Sequence, residues 1–175
     1  MFDRYSDRAR QVIVLALWSA RDRGGTSIEP EDLLQALIRE DRGEFDAFTP
    51  EIFPGTPAGI ADRSGARRSF FTSEAAASLL ADLHTDPEPH APTAPPAKPE
   101  PAPAVDLPVS ASLKHVLELA AQSGQNDAST IEPLHLLAAI AEDRESSTAQ
   151  LLRAHGITRQ KIAEAIHPSG GSAAL

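Results

Sequence analysis

The string Ile131 to Ile140, I-E-P-L-H-L-L-A-A-I, nearly repeats one that stands about a hundred residues earlier, Ile28 to Ile38, I-E-P-E-D-L-L-Q-A-L-I. The match continues upstream, where Ser6 to Ala16 aligns without gaps to Ser110 to Ala120. The offset is 104 residues there and 103 at the I-E-P string. One residue therefore differs in the loop between the two matched stretches, where single-residue slips are tolerated. A duplicated unit constrains the fold more than any composition figure, because both copies must bury the same apolar positions.

Those positions follow a helical period. Ser6 is a natural N-cap, and Ala9, Val12, Ile13, Ala16, Leu17 and Ala20 fall on one face before Gly24-Gly25 ends the helix. The continuous run Val12 to Trp18 also suits a buried strand, but the length of the pattern and its clearer twin at Leu113 to Gln122 decide for helix. Pro30 opens a second helix, since its fixed φ suits the first turn and its missing N–H is not needed there. Glu31 and Asp32 place negative charge at the positive helix end, and Leu33, Leu34, Leu37 and Ile38 form the apolar stripe.

Between Glu44 and Ser69, prolines and glycines allow short helical turns at most. An Ala-rich helix is expected over Glu74 to Leu83. Asp86 to Pro108 holds 9 of the 15 prolines; this composition favours polyproline II and reads as a semi-rigid linker. In the second copy Ser110 or Ser112 caps a helix carrying Leu113, Val116, Leu117 and Ala120. Gly124 to Thr130 makes the turn, and Pro133 opens a helix with Leu136, Leu137 and Ile140 inward. Ser147 and Gln150 form a capping-box pair before Leu151 and Leu152. Gly156 stops that helix, Thr158 caps a fourth, and Pro168 ends it. The expected organisation is all-α: a first unit over 1–85, divergent after 43, a linker over 86–108, a second unit over 109–168 and a frayed tail over 169–175.

Composition narrows the function. A net charge of −9 argues against nucleic acid, which needs clustered Lys and Arg. No run has the length of a membrane span. With no cysteine there is no disulfide, thiolate metal site or cysteine nucleophile, which is compatible with the cytoplasmic location expected here. Arg8 and Arg10 before Val12 to Trp18 have the outline of a signal peptide, but Asp3 and Asp7 are wrong for its charged region. The histidines show no metal-ligand spacing and no nucleophile elbow occurs, so neither a metal, a cofactor nor an enzyme is expected.

The ordered strings are similar to the Clp N-terminal repeat domain, which precedes the ATPase modules of unfoldases such as ClpA, ClpC and ClpB. The resemblance rests on Phe2 to Ala9, Ile28 to Ile38, Leu107-Pro108-Val109-Ser110, Ile131 to Leu137 and Leu151 to Ile157, and covers about 1–43 and 107–167. It implies two four-helix units. It also implies a protein-binding module of the Clp system that recognises substrates or adaptors or docks on a Clp ATPase. The phosphate loop G-x-x-x-x-G-K-[ST] of an ATPase module does not occur in this sequence.

Two site readings follow. In ClpC members an acidic residue of the helix-opening string helps to hold phosphorylated arginine; the resemblance carries that role to Glu31, while the second copy has Leu134. Glu31 also reads as a first-turn acid that stabilises its own helix. Within the first helix, Val14, Leu17 and Trp18 form an i, i+3, i+4 stripe whose counterparts are Glu118, Ala121 and Gln122. Either residues such as Phe45, Phe48, Phe70 or Leu79 cover that stripe as core, or it is an exposed partner-binding face. A helical scaffold with partners unrelated to Clp, pairing through this face, remains an alternative.

Overall fold

In the computed structural model, residues 4–43, 69–84, 107–126, 130–143 and 146–167 are described. Expectations for the stretch after residue 43, for the linker up to residue 106 and for the tail lie outside them, as do Phe45 and Phe48. Seven α-helices occur among the described residues: α1 (Asp7–Asp22), α2 (Pro30–Asp41), α3 (Ser73–His84), α4 (Ala111–Asn126), α5 (Pro133–Glu142), α6 (Ser147–Ala154) and α7 (Arg159–Ile166).

The ends of the helices are set by local chemistry. The Ser6 hydroxyl accepts the Ala9 N–H at 3.1 Å, and Ser110 accepts the Leu113 N–H at the same distance. Thr158 does the same for α7, so three expected caps are in place. At the end of α1, Gly25 N–H donates to Ala20 and Gly24 N–H to Arg21, the Schellman arrangement that requires a left-handed residue. Gly24 supplies it with φ of 72°. Gly156 repeats the device after α6.

Two helix ends differ from the sequence reading. The N-cap of α6 is Ser146, one residue before the expected Ser147. Ser147 is the first helical residue, and its hydroxyl is engaged across the molecule instead. The helix α4 runs through Gly124 to Asn126, so its turn begins later than the glycine suggested. A single Gly costs a helix only about 1 kcal/mol.

The apolar stripes close into one cluster. Ala9, Val12, Ala16 and Ala20 of α1 are buried against α2, the small alanines letting the two axes approach. Leu33, Leu34, Leu37 and Ile38 of α2 join Leu136, Leu137 and Ile140 of α5, with Ala76 and Leu79 of α3 and Ile162 of α7. Each fully buried Leu or Ile contributes roughly 1.5–3 kcal/mol relative to exposure. The face read from sequence is the buried face in both copies, except that Ile13 and Leu17 of α1 are only half-buried.

The two halves exchange their leading residues. Tyr5 forms a parallel bridge with Ile131, and Val109 forms one with Ile28. Ile131 N–H donates to Arg4 at 2.8 Å and Ser6 N–H to Ile131 at 3.0 Å. In the other bridge, Ile28 N–H donates to Pro108 at 2.9 Å and Ser110 N–H to Ile28 at 3.1 Å. These partners are related by the same 104- and 103-residue offsets as the sequence repeat. The lead-in of each first helix is thus pinned to the lead-in of the other copy's second helix.

Candidate functional site

The exchange leaves two comparable corners, one at the N-terminus of each second helix. At the α5 corner there is a cleft of about 300 Å³. Its apolar walls are Leu37 of α2, Phe70 and Phe71 ahead of α3, and Pro133, Leu134 and Leu137 of α5. Asp41 fixes one wall by accepting the N–H groups of Phe70 and Phe71, each at 2.9 Å, and the Ser69 hydroxyl. The two phenylalanine rings meet edge to face at 5.2 Å.

The polar lining is Arg8, Glu40, Asp41 and Glu132. Arg8 donates through Nε to Glu40 Oε1 at 2.7 Å, and the side chains are 36% and 6% exposed respectively. Burial pushes the Glu40 carboxyl above its ordinary range; Arg8 opposes this, while Asp41 and Glu132 add to it. Glu132 accepts the Ser6 hydroxyl at 3.0 Å. Its own N–H donates to His135 Nδ1 at 3.0 Å, so His135 carries its proton on Nε2 and closes the first turn of α5.

At the α2 corner the chemistry is reversed. Glu31 Oε1 accepts the Ser147 hydroxyl at 2.7 Å and that of Thr148 at 3.0 Å. This carboxylate therefore ties α2 to the start of α6. Asp32, in the place of His135, accepts the Glu29 N–H at 2.8 Å and a two-pronged bond from Arg23.

No protein-family model and no curated protein matches this sequence. Solved structures do match. The N-terminal domain of the caseinolytic protease associated chaperone ClpD from Arabidopsis thaliana superposes with a TM-score of 0.60. It is 22% identical, over 98% of this chain and 97% of that one. The chain has the Clp N-terminal domain fold. A chain from structural work on a malarial protein secretion system agrees, at a TM-score of 0.60 and 17% identity over 93% of this chain and 92% of that one.

On this Clp N-terminal fold the residues singled out from sequence separate into distinct places. Glu31 occupies the α2 corner, half-buried and engaged by α6. Val14 and Leu17 are half-buried on α1, and Trp18 is 44% exposed with the Arg21 guanidinium 6.0 Å from its ring centre. Phe70 is a wall of the α5 cleft, and Leu79 is core. Sequence reasoning did not single out the cleft itself. Its one legible trace was Leu134, an apolar residue where the first copy carries Glu31. Among the described residues, no cluster of His, Asp or Glu could hold a metal, and no helix is long and apolar enough to cross a membrane.

Proposed function

We propose that this chain is a non-catalytic protein-binding module of the Clp chaperone and protease system. It recognises client segments or adaptors, or docks on a Clp ATPase, and acts in the cytoplasm. One observation carries the reading: on a Clp N-terminal fold, the junction between the two exchanged halves is an open, apolar-walled cleft. Similarity to the N-terminal domain of a protease-associated chaperone supports the Clp assignment. In this reading the module supplies local concentration and specificity, and the partner's ATP hydrolysis supplies the work.

The test is affinity capture of the tagged chain from its host's lysate, with a Leu17→Ser/Trp18→Ser variant beside it, checked for helix content by circular dichroism. Recovery of a Clp ATPase or protease subunit is expected with the native chain. Its loss in the folded variant assigns docking to the outer face of α1, and retention assigns it elsewhere. Recovery of no Clp component by a well-folded chain would leave the fold as the whole of the likeness.

A further inference from the structure

The α5 cleft carries unequal chemistry, and that inequality defines an occupant. Leu37, Phe70, Leu134 and Leu137 offer hydrocarbon surface only. A volume of about 300 Å³ is at the lower bound for ligand pockets and gives room for one or two side chains. Three carboxylates line it against one guanidinium, which leaves two negative charges in excess. Arg8 and Glu40 answer each other at 2.7 Å, and Asp41 is engaged by residues 69–71. Glu132, half-buried at the N-cap of α5, is met by neutral donors, the Ser6 hydroxyl and the first-turn N–H of α5, which do not cancel its charge, so it is the carboxylate set to face a cation.

We infer that the cleft takes a large apolar side chain from an extended segment of a client protein, with a neighbouring Arg or Lys of that segment set against Glu132. This rests on the protein-binding role proposed above and names what is bound. The apolar walls select the side chain by area, and the surplus negative charge selects its flanks. A second copy of the chain is disfavoured, since molecules of net charge −9 repel. The α2 corner does not share the property, because Glu31 stands there in place of the apolar wall residue Leu134 and draws Ser147 and Thr148 onto itself.

The test is fluorescence anisotropy of the full chain with three peptides on one Gly/Ser background, each carrying a neutral dye. The first has Phe between two arginines, the second Phe between two glutamates, and the third Ala between two arginines. The first is expected to bind at least about tenfold more tightly than either of the others. Leu134→Glu is expected to lose that binding. Glu132→Gln lowers the preference for arginine about threefold and keeps the requirement for Phe. Phe70→Ala, altering a half-buried wall, stands in if Leu134→Glu does not fold.

Equal affinity for the arginine- and glutamate-flanked peptides, no binding of the first peptide, or unchanged binding by a folded cleft variant each overturns the inference. Failure of the peptides while a Clp ATPase is still captured removes this inference alone. Loss of capture with peptide binding intact removes the Clp assignment alone.

Discussion

The α2 and α5 corners start from the same four-letter pattern, I-E-P followed by one variable residue, and end as opposites. Glu31 draws two hydroxyls of α6 onto itself, and its corner is a polar tie. Leu134 offers nothing to a hydroxyl, and its corner is an apolar cleft beside Phe70 and Phe71. A helix opening that exposes a carboxylate can be satisfied within the molecule. One that exposes a leucine has to find hydrocarbon, here Leu37, Phe70 and Leu137 along the walls of an open cleft.

The comparison can be broken at several depths. Leu33→Ala and Leu136→Ala remove buried side chains at the same register of the two copies. Each is expected to cost about 2–5 kcal/mol in urea unfolding, and the two costs should be alike. A large imbalance would mean that the copies do not share the core equally. Arg8→Ala removes the Arg8 ion pair from the buried Glu40 and should cost about 2 kcal/mol, less than for a fully buried pair because Arg8 is partly exposed. Adding Glu40→Gln should return part of that loss.

Glu31→Leu makes the α2 corner chemically like the α5 corner. It removes two hydroxyl bonds at a half-buried site and should cost about 1 kcal/mol. If it also creates binding of the arginine-flanked Phe peptide, one residue is enough to convert the corner. A reader of phosphorylated arginine acting through Glu31 would instead lose phosphopeptide binding on this change.

Glu40 gives a dependence on pH. Its folded-state carboxyl holds a proton more tightly than the unfolded chain does, so its contribution to stability falls as pH rises from the ordinary glutamate range through the raised folded value. Urea midpoints measured across the weakly acid range should show that negative slope, reduced in Glu40→Gln. The smallest effect is expected at Trp18→Ser, within about 0.5 kcal/mol, because the ring is 44% exposed. Unfolding of this variant would show that the ring belongs to the core.

What the sequence disclosed was what local physics writes into it. Helical spacing marked Val12 and Ala16, and then Leu113 and Val116, as inward positions, and helix starts were visible in the caps Ser6 and Thr158 and the first-turn prolines Pro30 and Pro133. The bridges of Tyr5 with Ile131 and of Ile28 with Val109 were not visible, because pairing over such a separation leaves no periodicity. The cleft is assembled from α1, α2, α5 and the turn before α3, so no one segment carries its outline. Ser147 was misread for a related reason: a serine three residues ahead of Gln150 looks like a local capping box, and only the fold brings Glu31 within reach.

The exchanged bridges have a consequence for synthesis. Ser6 and Glu132, which bond beside the first bridge, are 126 positions apart in the chain. At about 5–20 residues per second, a ribosome takes roughly 6–25 s to bring the later of them into being after the earlier. Throughout that interval the apolar face that α2 buries against α5 lacks that partner, and transiently exposed hydrocarbon on a nascent chain favours aggregation.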